Sequence, residues 1–440
     1  MAQSGKLLRI LGVGFGLAAV VGSMVGQGIL RTPGLVAGAV HTPWLMTACW
    51  VLGGVIAAIS AFAYIELGAA IPSAGGPYDY AERAFGRVAG AIAGWTLFLA
   101  MIVSTAGTNY VIGEFVVRLG VLPGLTPAAP ALMALALFFV LNLAGTRVSG
   151  ESQILFSAAK GAILVTVMVG LFMHDGAPTA GPAAAPSVPL AGPVGIAGVA
   201  LAMRLIVSTY NGWQDIAVYC EELESPAKSL PRSLFGGLAA VGALYVLFNL
   251  ALLHILTPGQ MAASDLPAAD ALAVVMGDGA ATALTLFGVL SVSAITSLGL
   301  MGTTRLAFAL ARGGLFPAAL AQVAPNGTPR AALTTTVAIT AGFVLTGTYN
   351  TLSSTSTSLY QIAVVVTLLA ALALRLREPD MDRPYKMPVW PVTIAIAIAA
   401  NVALLAAFIY DEPFNALIGV VIVVAFTAVW LALAGLRPAR

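Results

Sequence analysis

The stretch Val21 to Gly34 reads VGSMVGQGILRTPG and sits inside an apolar run that begins near Leu7 and continues to about Val40. As one straight helix that run would extend roughly 50 Å at about 1.5 Å per residue. A bilayer's hydrocarbon core is only about 30 Å thick, so the segment is too long for a simple crossing and too rich in glycine for a stable one. In hydrocarbon every backbone amide needs a partner, and irregular backbone survives only where protein shields it or where it lines a wet cavity. Gly22, Gly26 and Gly28 weaken a helix and let amides turn toward a ligand. The stretch therefore reads as an interruption dividing the first span into two half-helices. A small-xxx-small packing face on Gly22 and Gly26 is the alternative reading of the same glycines.

Composition sets the frame around that interruption. Of 440 residues, 59% are hydrophobic and 9% charged, with a net charge of +2; soluble domains carry about 25% charged residues. This is the composition of an all-α polytopic membrane protein. Apolar windows give about twelve spans, from Leu11–Val40 to Phe414–Leu436. The breaks between them are too short to attach a soluble domain, so residues 1–440 read as a single transmembrane domain. The N-terminal MAQSGKLLRI lacks a clear small-residue cleavage site and reads as retained. Cys49 and Cys220 fall in or beside apolar segments, as buried small side chains rather than a disulfide framework.

Placing both termini in the cytoplasm puts nearly all Lys and Arg residues inside, from Lys6 and Arg9 to Arg437 and Arg440. Only Arg31 and Arg118 then remain in outer segments, whose other charges are Asp175, Asp265, Asp270, Asp278, Asp411 and Glu412. That asymmetry is the positive-inside pattern and implies the cytoplasmic membrane.

A second interruption lies in the sixth span, Val194–Tyr219, at VSTYNGWQDIAVYCEELESPAKSLPRS. Ser208, Thr209, Asn211, Gly212 and Asp215 break an apolar helix at membrane depth, where polar groups are costly and usually functional. Discontinuous first and sixth segments are what an inverted repeat of five plus five helices produces, with the site between the breaks near the midplane. Residues 11–174 would form the first repeat, 194–376 the second, and 389–436 two further helices.

On these motifs the chain resembles the amino acid, polyamine and organocation transporter superfamily with the LeuT fold, and within it the bacterial L-type amino acid permeases. The first-span GSMVGQGI resembles that family's glycine-rich break. AYIELGAAIPSAGGPYDYAERAFG (Ala63–Gly86) resembles the second-span exit and its loop, GWQDIAVYCEELESPAKSLPRS the sixth-span exit, and RPYKMPVWP (Arg383–Pro391) the start of the eleventh span. The resemblance covers nearly the whole chain.

Half-helix N-termini suit an anion, while C-terminal ends and unwound carbonyls suit a cation. An α-amino acid zwitterion fits that pair of fields. The amides around Gly26, Gln27 and Gly28 are expected to hold its carboxylate, and carbonyls near Val21, Gly22, Ser208 and Thr209 its ammonium. Ser23, Tyr210, Asn211 and Gly212 complete the expected site. Gln27 departs from the family's small residue. Ser208 stands where relatives often place an aromatic, for which Tyr210 is the substitute on a different face. Ser104, Thr105 and Asn109 in the third span are candidates to face the substrate side chain.

Lys160 sits near the centre of the fifth span, where a bare ammonium costs at least about 2.5–3.5 kcal/mol. The resemblance implies its role: relatives without sodium dependence place a lysine where sodium-coupled members bind sodium, its amine bridging first-span carbonyls and an eighth-span hydroxyl. Ser293, Thr296 and Ser297 are the hydroxyl candidates, with Ser297 taken as the coupling partner. Arg204, about one helical turn before Ser208, either contacts an anionic substrate group or pairs with an acid such as Glu114 or Asp175. Glu66 and Asp79 are expected to pair with Arg83 or Arg87, and Glu221, Glu222 and Glu224 with Lys228 and Arg232.

The function expected is secondary active transport of amino acids by alternating access, through sodium-independent exchange or coupled to protons. A polyamine or organic cation transporter of the same fold is the alternative; a channel or a nutrient sensor fits less well. His41, His174 and His254 are scattered at span ends without metal-ligand spacing, so no enzyme chemistry, metal or cofactor is expected. No nucleic acid is expected either, and no partner subunit is implied.

Overall fold

The computed structural model describes residues 6–26, 28–120, 124–174, 194–346, 349–411 and 413–435. Gln27, Asp175, Glu412, Arg437 and Arg440 lie outside the described residues. In chain order the helices are α1 (Val13–Met24), α2 (Gly28–Val40), α3 (Pro43–Ala70), α4 (Pro77–Phe85), α5 (Arg87–Arg118), α6 (Ala128–Leu143), α7 (Thr146–Phe172) and α8 (Ile196–Tyr210). After a 3-10 segment, Trp213–Tyr219, come α9 (Pro226–Ile255), α10 (Pro258–Ala263), α11 (Pro267–Met276), α12 (Ala280–Arg312), α13 (Arg330–Thr346), α14 (Tyr349–Arg377), α15 (Trp390–Asp411) and α16 (Pro413–Gly435). No strand occurs among the described residues. That follows from the solvent: a helix bonds its backbone within itself and needs no neighbour to be satisfied in hydrocarbon.

Eight helices are long and apolar enough to cross a membrane, and α1 with α2, bent by 47° at their break, makes a ninth. The three other expected spans fall on shorter elements: α6, α13, and α8 with its 3-10 continuation. At 16 residues, α6 reaches only about 24 Å, so a 20-residue apolar window overstates its helix. Several helices begin at a proline: α3, α4, α9 and α11 carry one in their first turn, where φ is already suited and no amide is lost.

Helix α5 is the central strut, packed against α12, α14, α4 and α6. Gly113 permits part of this: a Cβ there would run into the Pro127 carbonyl at the start of α6. Helix α1 lies against α9, α7, α12 and the 3-10 segment, and α3 against α9 and α8. The interior is closed by large buried rings, among them Trp50, Tyr64, Tyr219 and Tyr245.

Ion pairs gather where the C-terminal ends of α3, α12 and α14 meet the chain following the 3-10 segment. Glu66, 1% exposed, accepts from Arg375 at 2.5 Å and from the Met387 amide at 2.7 Å, and lies 3.2 Å from Arg383. Glu222, fully buried, accepts from Arg305 at 2.8 Å, and Arg305 also donates to Thr146 at 3.0 Å. Glu221 pairs with Arg312, and Arg83 with Glu378. For Glu66, Glu221 and Glu222 the pairings expected from sequence proximity are thus replaced by pairings with arginines distant in sequence, because segments remote in the chain converge in space. Outside the spans, burial raises the Asp79 carboxyl above the usual carboxylate range, while Arg83 holds Glu378 below it.

Breaking a buried pair from one side leaves an uncompensated charge, at about 3–5 kcal/mol. Glu66→Gln strands Arg375 and Arg383 together, so its melting temperature in detergent is expected to fall well below that of the wild type. A coincident melt would remove Glu66 from the scaffold's essential contacts.

Candidate functional site

The helical ladder of the first span stops at Met24: Val25 is extended, at φ −73° and ψ 102°, and α2 starts at Gly28. That of the sixth stops at Tyr210, where Asn211 is extended and Gly212 takes the left-handed φ of +116° before the 3-10 segment. The two expected interruptions are therefore present, and they touch. The Ser23 hydroxyl stands 2.8 Å from both the Ala19 and the Gly212 carbonyl. Its single proton serves its own helix or the opposite break. A Cβ on Gly212 would come within 2.9 Å of the Ser23 backbone, so glycine is required there both by φ and by space.

Side chains bind the remaining ends together. The hydroxyls of Thr32 and Thr209 share a hydrogen bond of 2.8 Å across the breaks. Tyr245 on α9 donates to the Met24 carbonyl at 2.6 Å and reaches the Thr209 carbonyl at 3.2 Å. One phenol thus serves the terminal carbonyls of both α1 and α8, a role that nothing in the sequence around Tyr245 announces.

A cavity of about 450 Å³ opens between the breaks, within the range of small-molecule sites. From the expected site, Ser23, Gly26 and Gly28 line it on one side, and Ser208, Thr209, Asn211 and Gly212 on the other. Ser104 joins from the third span, and Tyr360, Ser356 and Thr357 from α14. The amide end of α2 and the carbonyl ends of α1 and α8 give it opposite fields. A second hollow of about 450 Å³, with Glu114, Arg118 and Asp265 in its wall, shares Arg31 with the first.

Five expected residues lie elsewhere. Tyr210, 1% exposed, turns onto α3, where its hydroxyl donates to the Trp50 carbonyl at 3.1 Å and its ring meets Tyr245. It follows Thr209 by about 100° around the helix, which carries it off the cavity face. Gly22 sits behind the break, its carbonyl occupied by Lys160. Thr105 is buried and donates back to the Met101 carbonyl at 2.8 Å, the common habit of a hydroxyl in a membrane helix. Arg204 is half-buried on α8 and does not line the cavity. Asn109 donates to the Ala131 carbonyl, tying α5 to α6.

Lys160 is fully buried, and its ammonium donates to the Gly22 carbonyl at 2.5 Å and the Val25 carbonyl at 2.6 Å. Those are carbonyls released where the α1 ladder ends. Ser291 on α12 donates to the same Val25 carbonyl at 2.9 Å. It replaces Ser297 as the eighth-span hydroxyl. Six residues along a helix rotate the side chain by roughly 240°, so Ser297 faces away from Val25. Ser157, one turn before Lys160, donates to the Ala18 carbonyl at 2.8 Å, and a Cβ on Gly22 would collide with Gln153 and Ser157. Glycine at 22 is therefore a matter of close approach to α7.

Two broken helices face to face around a small polar cavity, in a chain built of membrane-length helices, define a membrane transporter. The amino acid permease family model matches residues 16–433; the chain belongs to that family. It is 28% identical to the serine/threonine exchanger SteT of Bacillus subtilis over 91% of each chain. It is also 28% identical to the Asc-type amino acid transporter 1 of Mus musculus, over 92% of this chain and 77% of that one. The large neutral amino acids transporter small subunit 2 of Mus musculus is 28% identical over 84% of this chain and 70% of its own length. The protein is thus an amino acid permease in a multi-pass membrane fold.

Gly212→Ala forces a Cβ against Ser23 and a side chain into a left-handed conformation. Amino acid uptake is expected to be lost, whereas Gly161→Ala, with open space around it, is expected to transport as the wild type does. Normal uptake by Gly212→Ala would show that the close contact of the two breaks is dispensable.

Proposed function

We propose that the chain exchanges neutral amino acids across the cytoplasmic membrane without sodium. The observation that carries this reading is the Lys160 ammonium on the Gly22 and Val25 carbonyls. Carbonyl oxygens bared by a broken helix form a site for a cation, and here a fixed cation occupies that place, so none need be drawn from solution. The relatives named above include an exchanger of serine and threonine and a transporter of large neutral amino acids, which supports both the substrate class and the exchange mode.

In this reading the substrate carboxylate lies against the start of α2, at the amides of Gly26 and Gly28, with Gln27 between them. Its ammonium faces the carbonyl ends of α1 and α8. The carbonyls of Gly22, Met24 and Thr209 already accept from Lys160 or Tyr245, yet each oxygen has a second lone pair. Residues 11–174 and 194–376 act as the two repeats whose relative motion opens the cavity to either side, and 389–436 flank them. Both termini face the cytoplasm. The chain works without a partner subunit: both cysteines are buried, so neither is offered for an external disulfide.

Counterflow in proteoliposomes tests the reading. Labelled amino acid is expected to accumulate against an internal unlabelled pool equally well in sodium and in choline buffer. A sodium requirement, or an absence of trans-stimulation, overturns the reading. Lys160→Ala removes two charge-assisted bonds, and a loss of roughly 10- to 100-fold in exchange is expected if even one of them matters at about 1.5–3 kcal/mol.

A further inference from the structure

Gln214 and Asp215 follow directly on the Gly212 break, and both stand in the wall of the central cavity. Neither belongs to the substrate-binding set expected from the sequence. Gln214 is 4% exposed, and its orientation is settled by its Oε1, which accepts from the Gly212 amide at 3.1 Å. Its Nε2 is consequently the free end, and it has no hydrogen-bond partner among the described residues. Asp215 shares the cavity wall with Tyr360, and its Oδ1 likewise has no hydrogen-bond partner among the described residues. A buried donor and a buried acceptor left open on successive residues of a cavity wall are unusual, since buried polar atoms are generally paired.

What would satisfy both is a matter of hydrogen-bond inventory. An aliphatic side chain leaves the two atoms open. An ammonium serves Oδ1 but sets a donor against the Gln214 amide hydrogens. A hydroxyl or a carboxamide donates to Oδ1 and accepts from Nε2. We propose that Gln214 and Asp215 are the side-chain subsite of the permease and select neutral amino acids whose side chain both donates and accepts a hydrogen bond. The inference rests on the exchange reading above and specifies its substrate. It places specificity on the cytoplasmic-side half of the broken sixth span, beyond the glycine, rather than on the Ser208 position.

Threonine and valine are near-isosteric, so their competition isolates the hydrogen bonds. Proteoliposomes of the full chain exchanging labelled alanine are challenged with each. Threonine is expected to compete at least about 10-fold better than valine, because a site built to bond a side-chain hydroxyl rejects the analogue lacking it. In Gln214→Met that ratio is expected to fall toward unity, with the variant's melting curve certifying its fold. A parallel pair, glutamine against methionine, tells whether a carboxamide is taken as well as a hydroxyl; preference for the polar member of either pair supports the subsite.

Equal competition by the members of both pairs in vesicles that do exchange alanine overturns the subsite and leaves the permease reading standing. An unchanged threonine preference in Gln214→Met removes Gln214 from it. Lysine or ornithine outcompeting threonine in the wild type, and failing in Asp215→Asn, makes Asp215 a counter-ion and overturns selection for neutral side chains. Vesicles that exchange no amino acid at all overturn the permease reading, and the subsite with it.

Discussion

A backbone that leaves its helix inside hydrocarbon must find other partners for its amides and carbonyls. In this chain two such backbones find them largely in each other and in three side chains. Ser23 reaches the Gly212 carbonyl, Tyr245 serves the ends of both α1 and α8, and Lys160 closes two carbonyls from behind. Remove that mutual satisfaction and neither break is tolerable. The cavity, its opposing fields and the polarity of its wall are consequences of the same constraint.

The bonds that hold the breaks are also few and easily redirected. Ser23 has an acceptor on its own helix at the same 2.8 Å as the one opposite, so the first and sixth spans can part without orphaning that hydroxyl. Tyr245 can likewise serve either carbonyl. Lys160 differs: both its acceptors belong to the first span. Its attachment joins α7 to the end of α1 and survives movement of the sixth span. Lys160 is thus held to the first span alone, whereas Ser23 and Tyr245 each have an acceptor on both breaks.

Much of this was legible in the residues. Glycines at 22, 26 and 28 in an over-long apolar run, polar residues at 208–212, and a lysine far from either end of its helix each violate a rule of membrane helices; the structure places Gly26, Gly28, Ser208, Thr209, Asn211 and Gly212 around one void and Lys160 behind the first break. Less legible was which face a residue would take. Tyr210 and Thr105 are on the right helices but turned onto α3 and the helix's own backbone, and along the 33 residues of α12 a shift of six exchanges Ser291 for Ser297. Rotation about a helix is set by packing partners, and an apolar helix with no polar stripe carries little record of it. The ion pairs were illegible for a related reason: Glu66 and Arg375 are 309 residues apart, and only the assembled bundle brings their helix ends together. Tyr245 stands in otherwise ordinary surroundings, and its importance comes from partners on other helices.

The central claim is that the two breaks enclose the substrate. A density map of the protein saturated with a transported amino acid tests it most directly. The account requires a small density between Gly26–Gly28 and Ser208–Gly212, with its carboxylate toward the start of α2 and its side chain toward Gln214 and Asp215. Density elsewhere in the bundle, or a first or sixth span running as unbroken helix past Val25 or Asn211, would contradict it.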